Sequence, residues 1–98
     1  MSLASQSMVL VTAIRLANGR DDVDGVTTVR WEGNAGPEES SIGDLVLWIA
    51  RSRGHAYLQW PSGQRGPRLH VANHPTRRSV RSGLTADGSD GLLSLPRF

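Results

Sequence analysis

Two histidines, His70 and His74, stand four residues apart, the spacing at which a helix would turn both rings toward one metal ion. Their segment reads instead as a strand that ends at His74-Pro75, because a residue before proline is driven to extended backbone. No nearby carboxylate supplies a third ligand. Solvated histidines are therefore expected, with no metal and no other cofactor. Asp21-Asp-Val-Asp-Gly25 opens like a calcium loop. The glutamate that closes the twelve-residue ligand set is missing, so the segment reads as an acidic turn. Asp87 and Asp90 form a possible carboxylate pair, but they lie in a Gly-Ser loop with nothing apolar around them, which is the setting of a turn or cap. No serine occupies a G-x-S-x-G elbow. Neither a phosphate-cradling loop nor a dinucleotide fingerprint is present. Cysteine is absent, which removes disulfides, thiolate zinc sites and thiol nucleophiles. The chain reads as a binding protein and not an enzyme.

Arginine supplies the remaining chemistry. Between Asp44 and Asp87 there is no acidic residue, while seven arginines and three histidines fall in that interval. Residues 1–49 hold three arginines against seven acids, and residues 50–98 hold eight against two, so the formal charge of +2 hides a dipole. Such asymmetry speaks to partners and association and not to fold. Lysine is absent; a GC-rich genome explains that plainly, although the planar guanidinium also suits phosphate and carboxylate contacts.

These side chains need elements to position them. Ninety-eight residues make one domain, large enough for a modest core without staples. Residues 1–8 read as a loose N-terminus and residues 9–98 as a single small domain. Val9–Ala17 alternates, with Leu10, Thr12, Ile14 and Leu16 on one face and Val9, Val11, Ala13 and Arg15 on the other. Val26–Glu32 is a second strand carrying Val29 and Trp31 on one face, so the two form a hairpin with a long loop. Asn34–Ser40 reads as a loop. Ser41 caps a helix in which Ile42, Leu45, Val46 and Ile49 share a stripe. Arg51 and Arg53 fall in its last turn, Gly54 is expected at C′, and Trp48 is expected over the seam between helix and sheet.

Period two returns at Ala56, Leu58 and Trp60, which alternate with His55, Tyr57 and Gln59. Pro61–Pro67 reads as a turn. Leu69 and Val71 alternate with Arg68 and His70, and Thr76–Leu84 is a weaker strand. The expectation is an α+β domain: a mostly antiparallel sheet of about five strands, in the sequence order ββαβββ, with one helix packed on one face. A strongly bent, barrel-like sheet closed by the helix is the alternative. The expected core is Ile14, Leu16, Val29, Trp31, Leu45, Ile49, Leu58, Trp60, Leu69 and Val71. Leu92, Leu93, Leu95 and Phe98 carry too much apolar surface for a free end, so the tail should pack back on the sheet or on a partner chain.

This arrangement leaves His55, Tyr57, Gln59, Arg68 and His70 on the open face, with Arg77, Arg78 and Arg81 on the neighbouring strand or its edge. Arginines that track a backbone, beside an aromatic that stacks, suit single-stranded nucleic acid. The candidate binding residues are Tyr57, Arg68, His70, Arg77, Arg78 and Arg81. An acidic protein surface, or a second copy joined acidic half to basic half, is the alternative partner. A merely solvated basic face is the plain reading. No apolar run approaches the ~20 residues of a membrane span, and Met8–Ile14 lacks the preceding basic residue of a secretory signal. A cytoplasmic protein without membrane contact is expected.

Several segments resemble a family of short bacterial proteins catalogued as domain of unknown function 3892. Val11-Thr-Ala-Ile-Arg-Leu16 resembles its opening strand and Val29-Arg-Trp31 its second. Ser40–Ile49, followed by Gly54-His-Ala-Tyr57, resembles its capped helix and the strand after it. Ala86-Asp-Gly88 with Leu92-Leu-Ser-Leu-Pro-Arg-Phe98 resembles its closing signature. The chain departs from the pattern at Gly91, where members often carry asparagine, and lacks their aromatic before that loop. The resemblance spans about residues 9–98 and implies a single small domain. It implies no activity, because the family is uncharacterised.

Overall fold

The computed structural model describes residues 3, 6–19, 25–33, 36–52, 54–73, 78–82 and 90–98. The elements run β1 (Met8–Leu16), β2 (Val26–Gly33), β3 (Gly36–Ser41), α1 (Ile42–Ser52), β4 (His55–Gln59), β5 (Arg65–Arg68), β6 (His70–Asn73), β7 (Arg78–Arg81) and a 3-10 helix, Gly91–Ser94. Five strands form one sheet in the order β3-β2-β1-β4-β5, while β6 and β7 form a separate ribbon. Every pairing in the five-stranded sheet is antiparallel except β1 with β4. The described residues thus form an α+β domain with one α-helix and a five-stranded, mostly antiparallel sheet. Among the described residues no helix is long and apolar enough to cross a membrane.

β1 and β2 form the expected antiparallel hairpin. The phase expected for β1 is corrected, however. A bulge between Val11 and Ala13 inserts one residue and reverses which side chains point inward. Val9 and Val11 are buried before it and Ile14 after it, while Leu10, Thr12 and Leu16 are only partly covered. Asn34–Ser40 is not simply a loop, because Gly36–Ser41 is an edge strand. A strand with one neighbour and one wet face needs little apolar alternation, so Gly-Pro-Glu-Glu-Ser-Ser gives almost none. Gly33 pairs with Gly36, and Gly36 takes φ +104°, which suits glycine. The Trp31 indole N–H donates to Ser40 Oγ at 2.9 Å and ties β3 to the core.

The helix begins as expected. Ser41 Oγ accepts from the Asp44 N–H at 3.1 Å, a cap that satisfies one of the free donors of the first turn. Leu45 and Val46 are buried and Ile42 and Ile49 partly so, against β2, β3 and the β6–β7 ribbon. Gly54 has a different role from the left-handed C′ residue expected, since its φ is not among the positive ones. The Trp48 indole packs against it, and a Cβ there would overlap the ring. Close approach, not turn geometry, requires glycine at this position.

The expected Pro61–Pro67 turn is shorter than anticipated, because Arg65–Pro67 already belong to β5. Pro67 is tolerated where an edge strand needs no donor on its outer side. The run from Arg68 to Val71 alternates as expected but changes sheets at Leu69. That residue is buried, and its N–H donates to the Ala56 carbonyl at 2.7 Å. Beyond it β6 leaves the main sheet and pairs with β7, a corner of the kind that lets one strand serve two sheets. Of the expected core, Ile14, Val29, Trp31, Leu45, Leu58 and Leu69 are buried. Leu16, Ile49, Trp60 and Val71 are partly buried against the same cluster.

The tail packs back on the sheet, as its apolar content requires. Leu92 and Leu95 are buried. The Ile14 N–H donates to the Pro96 carbonyl at 2.9 Å, and the Phe98 N–H donates to the Ile14 carbonyl at 3.1 Å. The tail therefore takes the place beside β1 that β4, paired only to Met8–Val11, leaves open. Asp90 anchors this return. Its buried carboxylate accepts from the Ser82 N–H at 3.0 Å, the Ser82 hydroxyl at 2.8 Å and the Leu92 N–H at 2.9 Å. Asp90 is thus a cap, as its loop composition suggested. Asp90→Ala should strand these buried donors at ~1–3 kcal/mol each. Denaturant unfolding should show a loss of roughly 3 kcal/mol or more. An unchanged midpoint would assign the anchor elsewhere.

Candidate nucleic-acid interface

The expected binding residues that are described divide between the two sheets. Tyr57 sits half-buried on the open face of β4, placed there by the alternation that buries Ala56 and Leu58. Across the strand pair its register partner is Arg68, and Gln59 pairs with Arg65. The Arg65 guanidinium lies over the Tyr57 ring, its central carbon 4.9 Å from the ring centroid, within the range of a cation–π contact. Both arginines are exposed. On the other side of Tyr57, Leu10 is its neighbour in β1, and His55 adjoins Met8.

His70 lies on the β6–β7 ribbon, where it pairs with Arg81, and Val71 pairs with Val80. Val80 is buried and Val71 partly so, which sets the inner face of the ribbon; His70 is exposed. Because directly opposed residues share a face, Arg81 lies on the side of His70. Arg81 Nη1 donates to the Val80 carbonyl at 3.4 Å. Arg68, Leu69 and His70 alternate exposed, buried, exposed, so the outer sides of β5 and β6 meet at the corner. Arg78 is in β7 opposite Asn73, but its side chain is outside the described set. Arg77, His74, Asp87 and the acidic turn at 21–24 lie outside the described residues.

Arg65 was absent from the expected set because the Pro-Ser-Gly run assigned it to a turn. A signal was present: Arg65 and Arg68 bracket Gly66-Pro67, and an edge strand accommodates that dipeptide. The arginines at the far end of the open face have other partners. Arg30 forms an ion pair with Glu39 at 3.1 Å. Arg15 and Arg30 both stack on the Phe98 ring, 4.6 and 4.4 Å from its centroid, and Arg15 Nε donates to the Phe98 main-chain oxygen at 3.3 Å. The acids of the N-terminal half that are described on the sheet, Glu32, Glu38 and Glu39, stand on β2 and β3. Two strands, β1 and β4, separate them from β5. No family model matches this chain, and neither a curated protein nor a solved structure matches it significantly. The resemblance over residues 9–98 therefore rests on the quoted residues alone.

Proposed function

We propose that this chain is a small cytoplasmic binding module, a relative of domain of unknown function 3892, that holds single-stranded nucleic acid and performs no catalysis. One observation supports the reading above the others: Tyr57, with Arg65 stacked on it and Arg68 beside it, at the open edge of the sheet. The stacked guanidinium offers a flat cationic surface to a base, and Arg68, His70 and Arg81 continue along the outer side of the corner toward successive phosphates. An extended strand fits this surface better than a duplex, because stacking on Tyr57 or Arg65 requires an unpaired base.

An electrophoretic shift with single-stranded and duplex probes at two salt concentrations tests the proposal. Single-strand affinity should fall with salt by roughly 0.7 log unit per decade for each phosphate contact. Arg68→Ala should remove about one contact from that slope, and Arg65→Ala, which takes away the stacked cation, should weaken single strands more than duplex. Tyr57→Ala should cost on the order of 1–3 kcal/mol on single strands and little on duplex. Binding to an acidic protein surface would instead show salt-slowed association with no strand preference. Absence of any shift at low salt would dismiss the nucleic-acid reading.

A further inference from the structure

The outer face of α1 carries a pattern that the open face of the sheet does not explain. Leu45, Val46 and Trp48 are buried inward, while Gly43, Asp44, Leu47, Ala50 and Arg51 are exposed. At 100° per residue these five fall on one arc of the helix with Leu47 at its centre. Leu47 is 43% exposed, one of two large apolar side chains so open among the described residues. Asp44 and Arg51 are seven residues apart, two turns, so they share a stripe on either side of Leu47, about 10 Å from each other along the axis. Neither has an ion-pair partner among the described residues. A shallow hollow lined by Ile42, Gly43, Asp44, Val46, Leu47 and Arg51 lies along this face.

The order acid, leucine, arginine is self-complementary when reversed. Two copies of the helix laid antiparallel about a two-fold axis near Leu47 bring Asp44 of one opposite Arg51 of the other, twice, with the two leucines between them. An isologous contact requires that kind of self-matching surface. Gly43 and Ala50 add no bulk that would hold the helices apart.

We infer that the exposed face of α1 is a homodimer interface, in which Leu47 packs on its symmetry mate and Asp44 pairs with Arg51 of the second copy. It differs from an association of acidic half with basic half, since both charges come from one helix. The helix covers the sheet face opposite Tyr57, so the dimer leaves two open faces outward. A three-turn helix lies at the small end of specific interfaces, so association should be in roughly the micromolar range.

Sedimentation velocity on the full chain, across two decades of concentration, is the test. The wild type should pass from monomer to dimer, and the dimer should weaken with salt. Leu47→Glu should raise the dissociation constant at least about tenfold, with unchanged circular dichroism because the side chain is exposed. If that variant loses its fold, Leu47→Ala replaces it. Asp44→Arg makes the stripe wholly cationic and Arg51→Asp makes it wholly anionic, so each alone should stay monomeric. Mixed in equal amounts, the two should form a heterodimer. A wild type that stays monomeric throughout, a dimer indifferent to Leu47, or a mixture that fails to associate would each overturn the interface.

Discussion

Trp31→Ala should cost ~3–5 kcal/mol and lower the melting temperature by roughly 20 °C. Trp31 is fully buried on β2, the strand between β1 and β3. In the strand register Trp31 is paired with Val11 on one side and Glu38 on the other. It also lies against Gly33, where a Cβ would approach the ring to 2.8 Å. Truncation therefore opens a cavity that three strands cannot close without shifting, and it leaves Ser40 Oγ without the indole donor. A domain of this length is worth on the order of 5–15 kcal/mol in total, so the loss is a large share. Differential scanning calorimetry on the purified variant measures it. A melting temperature within a few degrees of the parent would mean that the Trp31 site collapses freely, contrary to its strand-locked geometry.

Removal of residues 92–98 should be more damaging. Leu92 and Leu95 are both fully buried, and truncating one buried leucine costs ~2–5 kcal/mol by itself. The deletion also strips the Ile14 N–H and carbonyl of their partners, Pro96 and Phe98. It removes the ring on which Arg15 and Arg30 stack and leaves half of one β1 edge unpaired. An unpaired edge beside exposed apolar surface promotes aggregation. The shortened chain should be largely unfolded or aggregated at room temperature by circular dichroism and light scattering. Leu92→Ala provides the graded version, with a loss measurable by denaturant unfolding. A shortened chain that stays monomeric with an unshifted transition would show that the tail contributes nothing.

The open-face reading and the helix-face dimer fail independently. Tyr57, Arg65 and Arg68 are on the sheet, whereas Asp44, Leu47 and Arg51 are on the helix that covers its other side. A monomer that binds single strands retains the first and loses the second. Were both to hold, the two outward faces of the dimer would bind one long strand with avidity, provided the strand spans the distance between them.

Local pattern in the sequence determined the helix, its Ser41 cap, the inward positions of Val29, Trp31, Ala56, Leu58 and Leu69, and the return of the tail. Each of these follows from a period of two or 3.6, or from an apolar excess that water will not tolerate. The charge division was legible as well, because it needs only counting. Tertiary structure alone decided the rest. The β1 bulge depends on which strand lies opposite, so it reversed the inward phase without a mark in the alternation. The β3 edge strand is polar because only one neighbour and one face constrain it. Gly54 is fixed by the Trp48 ring, a contact between side-chain shape and backbone. The corner at Leu69 separated Arg68 from His70 and Arg81 into two sheets while keeping their outer sides adjoining. Arg65 joined Tyr57 through a cross-strand register that no spacing along the chain encodes.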